Sequence, residues 1–328
     1  MITPMKVWLG VTDWDWYEHL RAIGATEVNF WQPSGSHRFS AIEPGAPFLF
    51  KSHYSSDGVT GNRIIGAGFL SGWARLPLST AWEVFGEENG CATLEEMRQR
   101  IGKYRRLEIS LADDPEIGCI MLWDVRYFSP ENAPPAPDTW APNIVQGCSY
   151  RLESPEGSYL EGVLEMLWSE HAEPASSRPD FSWPQVGVVS GPVFEGSRQA
   201  PVRVGQRAFK ALVQEAYGRK CAVTGDRIVP VLEAAHIRPV TQQGENRVDN
   251  GLLLRSDVHI LFDRGYLAIH PDRHTLLVSP RLRRQWGNGE EFYARASTGE
   301  AIAEPSRSVD RPSREFLTWH ADTVFLAS

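Results

Sequence analysis

The chain has 328 residues, enough for two domains at about 100–200 residues each, and its 42% hydrophobic, 23% charged composition excludes a disordered or fibrous protein. A formal net charge of −8 argues at first against a nucleic-acid partner. The charge is uneven, however: residues 1–150 carry 12 Lys/Arg against 18 Asp/Glu, and residues 151–200 carry 3 against 8, whereas residues 201–284 carry 14 against 8.

In chain order, Val7–Thr12 reads as a strand and Trp14–Ala22 as an aromatic helix. Glu27–Gln32, Pro47–His53 and Arg63–Trp73 are β-prone runs bounded by Pro, Gly and Ser, and the glycines of the third predict bulges or a close backbone approach. Thr93-Leu94-Glu95-Glu96 opens a capping-box helix reaching about Arg105, and Ile117–Phe128 is a further strand. Five prolines mark residues 130–142 as a loop, Gly162–His171 reads as a helix, and residues 173–185 read as an interdomain linker. A helix after Gly205 opens a new module. The domains expected are therefore 1–150, a helix and linker over 151–200, and 201–328.

Four widely spaced cysteines (Cys91, Cys119, Cys148, Cys221) form no CxxC pair, which predicts neither a disulfide framework nor a zinc ribbon. The N-terminus lacks a signal-peptide core and no apolar run reaches spanning length, so the expectation is a cytoplasmic protein without a membrane partner.

The chemistry concentrates in Cys221–Val278. His236 ends an apolar strand, Asn250 follows a polar loop, and His259 lies in a short helix expected to open with Ser256 as N-cap and close at Gly265. Asp263 follows His259 by four residues, so both project from one helical face and can share a metal ion. A neutral histidine near its ordinary pKa can take a proton from water, the role assigned to His236, and His259 with Asp263 is a mixed N/O pair for a divalent cation. Arg238, Arg247, Arg255, Arg264 and Arg273 are candidates for backbone phosphates. His270 and His274 flank a hairpin turn and are expected at the surface. Taken singly, each feature has a bland reading: a histidine after an apolar strand is usually structural, and Asn250-Gly251 alone is a turn signal.

Together, with the phrases AAHIRP, NGLLL and HILFDRG and the spacings of 14 and 9 residues between the three positions, the segment resembles an HNH endonuclease of the ββα-metal type. The resemblance implies phosphodiester hydrolysis to 5′-phosphate and 3′-hydroxyl ends, with Mg²⁺, Mn²⁺ or another transition metal, and with Asn250 holding the loop and orienting His236. Two departures stand out. Ala235 occupies the position where many members carry a further metal ligand; Glu233 is on the same strand face but about 6.6 Å along, so water is expected to complete the shell. Thr224 stands where zinc-bearing relatives would place a second cysteine after Cys221, so no structural zinc is expected.

Eight of the twelve tryptophans fall in residues 1–150, and most are expected in the core. FWQPSG (Phe30–Gly35), EPGAPFLFKSH (Glu43–His53) and GAGF (Gly66–Phe69) nonetheless resemble, in order, the EVE branch of the PUA-like superfamily. That resemblance implies an aromatic pocket for a flipped, modified base, with Trp31, Ser34, Lys51, His53, Trp14 and Trp82 as candidates.

The expected architecture is α+β: an N-terminal PUA-like mixed β-barrel domain joined to a C-terminal ββα-metal (HNH) domain. The expected function is a modification-dependent restriction endonuclease of phage defence, cutting double-stranded DNA that bears 5-substituted cytosine, with homodimerisation as a route to double-strand cuts. The alternatives are an HNH nuclease of other specificity, and a nucleic-acid-binding protein whose nuclease site is degenerate, motivated by Ala235.

Overall fold

The computed structural model describes residues 6–54, 61–170 and 205–328, so the expected linker at 173–185 lies outside the described residues. The chain divides into two compact units, residues 1–190 and 191–328. Both mix helices and strands, and the class is α+β as expected.

The first unit runs β1 (Lys6–Thr12), α1 (Trp14–Ala22), β2 (Val28–Gln32), β3 (Pro47–Ser52), β4 (Ile64–Pro77), α2 (Leu78–Phe85), α3 (Leu94–Arg105), β5 (Glu116–Tyr127), β6 (Gly147–Arg151) and α4 (Pro155–Glu170). Its strands form one mixed sheet of order β2-β5-β4-β3-β1-β6. β1 and β3 are parallel, which requires the crossover supplied by α1 and β2; the other pairs are antiparallel. Each of the six residues of β3 is buried, as a strand between two neighbours with both faces covered requires. Trp16, Phe30, Phe48 and Phe50 anchor the core in edge-on, tilted and, for Phe30 with Phe50, stacked pairs with ring centroids 4.9–6.1 Å apart.

Both expectations for the glycines of β4 hold. The register with β5 shifts between Ala67 and Phe69 and again between Leu70 and Gly72. A Cβ on Gly66 would meet the Arg126 carbonyl at 2.5 Å, so the two backbones pack too closely for any side chain. The cap of α3 forms with its return bond shifted by one residue: Thr93 accepts from the Glu96 N–H, while the Glu96 carboxylate accepts from the N–H of Ala92, just ahead of the N-cap. Two elements were not anticipated. α2 carries the chain between β4 and α3, and β6 adds a short edge strand against β1. The helix expected at 162–171 starts earlier, and its Leu160, Val163, Leu164 and Leu167 enter the first unit's core at the i, i+3, i+4, i+7 spacing.

The second unit runs α5 (Gln206–Ala216), β7 (Leu232–His236), β8 (Gly251–Arg255), α6 (Ser256–Asp263), the hairpin β9 (Leu267–Ile269) and β10 (Leu276–Val278), α7 (Pro280–Trp286), α8 (Glu290–Thr298) and α9 (Arg314–Thr323). β7 and β8 are antiparallel, pairing His236 with Gly251 and Ala235 with Leu252. Phe209 and Val213 of α5 close over Gly251, where a Cβ would meet the Val213 side chain at 2.6 Å. His274 adopts a positive φ of 50° between the hairpin strands and pairs with Glu304, so it is half-buried rather than a surface residue.

Candidate active site

The strand-loop-strand-helix order of the second unit brings the expected residues together. His236, the last residue of β7, is half-buried with its ring stacked on Phe209 at 4.0 Å and 11°. Its Nε2 lies 2.9 Å from the Asn246 Oδ1, an arrangement that places the proton on Nε2 and leaves Nδ1 as the basic nitrogen. Burial lowers the His236 pKa below its ordinary value, opposed by the bond to Asn246 and reinforced by His259.

Asn250 is fully buried just before β8 and closes the loop between the two strands. Its Oδ1 accepts from the Arg238 N–H, and its Nδ2 donates to the Arg238 and Glu245 carbonyls, each at 2.9 Å. Gly244 permits the turn, because a Cβ there would lie 1.8 Å from the Arg238 carbonyl.

α6 presents His259 and Asp263 on one face, with His259 Nε2 3.3 Å from Asp263 Oδ2. Ser256 does not cap this helix. Arg255 is the N-cap residue, and Ser256, already helical, donates its hydroxyl to the Val231 carbonyl at 3.0 Å, tying α6 to the chain ahead of β7. Burial raises the Asp263 pKa, with His259 opposing and Glu233 reinforcing. Sequence spacing along β7 placed Glu233 too far away to matter, but its side chain reaches across to α6, with Oε2 2.5 Å from His259 Nδ1. Ala235 is fully buried opposite Leu252, so no donor comes from that position.

Among the described residues, no three His, Cys, Asp or Glu side chains form a ready metal cage. The donor chemistry nevertheless fits a divalent cation. One imidazole nitrogen and one carboxylate oxygen at 3.3 Å can both reach an ion at bond lengths of about 2.0–2.2 Å, which leaves its remaining positions open to water and phosphate. Cys221 is buried, and its sulfur accepts from the Thr224 N–H at 3.4 Å and the Arg255 N–H at 3.3 Å.

The candidate phosphate-binding arginines separate. Arg247 pairs with Asp249 at 2.6 Å and Glu245 at 3.3 Å, and Arg255 pairs with Asp226 at 2.6 Å and Asp257 at 2.7 Å. Arg238 donates to the Gln242 carbonyl and lies 5.4 Å over the Trp319 ring. Arg264 and Arg273 are exposed.

In the first unit, three of the six base-pocket candidates sit around one unanticipated pair. Asp13, between β1 and α1, accepts the Tyr104 hydroxyl at 2.7 Å and pairs with His53 at 3.4 Å. Tyr104 in turn meets the Trp31 ring edge-on at 5.9 Å, while the Trp31 Nε1 donates to the Asn89 carbonyl. Trp14 follows Asp13 directly and tilts against Tyr17 at 4.9 Å. Asp13 and Tyr104 are 91 residues apart, so no local signal joins them. Lys51 pairs with a different aromatic: buried, it lies 4.8 Å over Trp140 and donates to the Ser52 carbonyl, and burial lowers its pKa to about 8. Trp82 is half-buried on α2, and Ser34 lies in an exposed turn bonded to Ser36.

Residues 221–270 match the HNH endonuclease family, so the second unit carries an HNH endonuclease domain. Among solved structures, an ASCH protein from Zymomonas mobilis aligns with 48% of this chain and 97% of its own, at 11% identity and a TM-score of 0.32. The modification-dependent TagI restriction endonuclease aligns over 38% of this chain and 39% of its own, at 23% identity and a TM-score of 0.26. No curated protein matches the chain. No helix among the described residues is long and apolar enough to cross a membrane.

Proposed function

We propose that the protein is a metal-dependent, modification-dependent DNA endonuclease, in which the first unit binds a modified base and the HNH domain hydrolyses the backbone. The observation that carries the catalytic half is the convergence of three groups with separable tasks: a base whose Nδ1 keeps its lone pair (His236), a loop clamp (Asn250) and an N/O pair on α6 (His259, Asp263). His236 takes the proton of a water molecule whose oxygen forms the new bond to phosphorus as the bond to the 3′ oxygen breaks, and that oxygen takes a proton from a solvent water, leaving 5′-phosphate and 3′-hydroxyl ends. A divalent cation held by His259 and Asp263 would supply charge stabilisation for the phosphate. Arg264, Arg273 and Arg238 are the arginines best placed for DNA phosphates, since Arg247 and Arg255 are held in carboxylate pairs on the protein.

For the reader half, the Trp31–Tyr104–Asp13–His53 cluster combines aromatic faces with one carboxylate acceptor, the chemistry suited to an unstacked base and its exocyclic amine. The substrate read is 5-substituted cytosine in double-stranded DNA. A dimer of the chain would let two HNH sites cut both strands.

The test is cleavage of matched duplexes carrying cytosine, 5-methylcytosine or 5-hydroxymethylcytosine, with Mg²⁺ or Mn²⁺. Preferential cutting of a modified duplex supports the proposal. Equal cutting of every duplex removes the reader role, and binding without any cutting removes the nuclease role.

A further inference from the structure

The HNH site has an Ala235 where a third side-chain donor would stand, yet a carboxylate reaches it from two residues earlier on β7. Glu233 faces Leu254 across the β7–β8 ladder, and its side chain extends toward α6, which packs over both strands. There the carboxylate meets the far nitrogen of the metal-site histidine: Oε2 is 2.5 Å from His259 Nδ1, while Asp263 approaches Nε2 on the opposite edge of the same ring. The two carboxylates therefore divide the imidazole between them. A donor that faced the ion directly would have to converge with Asp263 near Nε2, and Glu233 does not.

A ring nitrogen that donates to a carboxylate must carry the proton, so its partner nitrogen keeps the lone pair. Carboxylates placed behind ligating histidines in this way lock tautomer and ring orientation, and they raise the basicity of the ligating nitrogen. We propose that Glu233 is the positioning residue of the HNH metal site, holding His259 with its proton on Nδ1 so that Nε2 faces the cation beside Asp263. This inference rests on the metal-dependent reading of the site. It accounts for a site with two protein ligands despite Ala235: the carboxylate acts from behind the histidine instead of on the ion.

The role separates cleanly from that of a direct ligand and from that of a structural contact. Glu233 is half-exposed, so its replacement leaves no buried cavity. Mn²⁺ binding to the full chain, read by electron paramagnetic resonance, is compared for the wild type, Glu233→Ala, Glu233→Gln and His259→Ala. The His259 tautomer is read in the metal-free proteins by nitrogen NMR at alkaline pH. Glu233→Ala is expected to weaken Mn²⁺ binding about 10–100-fold and to release His259 into mixed tautomers. Glu233→Gln still offers an oxygen to the Nδ1 proton, so it should keep the tautomer and recover most of the affinity. Unchanged affinity and tautomer in Glu233→Ala overturn the proposal. Equal loss of affinity in Glu233→Gln and Glu233→Ala also overturns it, because that pattern belongs to a direct ligand. Wild-type Mn²⁺ binding no stronger than that of His259→Ala overturns the metal site itself and the role of Glu233 with it, an outcome distinct from the other two.

Discussion

Asn250 and Arg238 exchange two hydrogen bonds, the side-chain amide of one answering both backbone polar groups of the other: Oδ1 accepts the Arg238 N–H and Nδ2 donates to the Arg238 carbonyl, each at 2.9 Å. The side chain behaves as a third strand of backbone, fixing the chain immediately after His236. This gives the asparagine a physical task that neither a carboxylate nor an apolar side chain can perform.

Asn250→Ala should lower stability by about 2–4 kcal/mol, because three partly buried backbone groups lose their partner at once. Asn250→Asp should be nearly as damaging, since it sets a carboxylate oxygen against the Arg238 and Glu245 carbonyls. Urea denaturation compares the two. An aspartate variant as stable as the wild type would show that the amide donor does not hold the loop.

His236→Ala should abolish cleavage while DNA binding survives. The wild-type cleavage rate should stay high below pH 6.5 before falling, because burial lowers the His236 pKa and the neutral ring is the active form. Asn246→Asp adds a negative charge beside Nε2, which favours the imidazolium and should move the acid limb to higher pH. Rate profiles of the two proteins measure the displacement and its sign.

Folding stability should itself fall in mild acid, through a histidine remote from β7. His320 on α9 is 3% exposed, stacks on Phe262 at 3.7 Å, and has a buried Nδ1 without a hydrogen-bond partner among the described residues. Burial pushes its pKa down to about 4. The unfolded chain takes up this proton near pH 6.5 and the folded chain only near 4, so stability is complete above that window and declines through it, by about 3 kcal/mol in all. Denaturation midpoints between neutral pH and pH 4 test this, and His320→Leu should flatten the dependence.

Trp31→Ala should weaken binding of modified duplexes by about 1–3 kcal/mol, the range for loss of one base–aromatic stack, while cleavage of DNA at saturating protein persists. Tyr104→Phe should act on the same property, since it frees the Asp13 carboxylate from the hydroxyl that holds it. Fluorescence anisotropy with modified and unmodified duplexes separates the reader effect from general DNA affinity. Equal weakening on both duplexes would remove Trp31 from base recognition.

The sequence by itself determined the parts of this protein that are local. The strands around Leu9, Phe50 and Ile120, the capped helix after Thr93 and the order His236, Asn250, His259, Asp263 were legible because periodicity, capping and four-residue helical spacing act over a few residues. β6 was not legible: Gly147–Arg151 has little apolar character and exists as a strand because β1 offers a free edge. The N-cap expected at Ser256 gives way for a similar reason, since its hydroxyl is claimed by the Val231 carbonyl, 25 residues away. Only the tertiary structure joined Asp13 to Tyr104, set Asn246 against His236, and carried Glu233 across from β7 to His259. These pairings depend on side chains spanning the gap between elements packed face to face. Spacing along one strand or one helix holds no record of that gap, and so Ala235 looked like a missing ligand when the carboxylate had been placed behind the histidine.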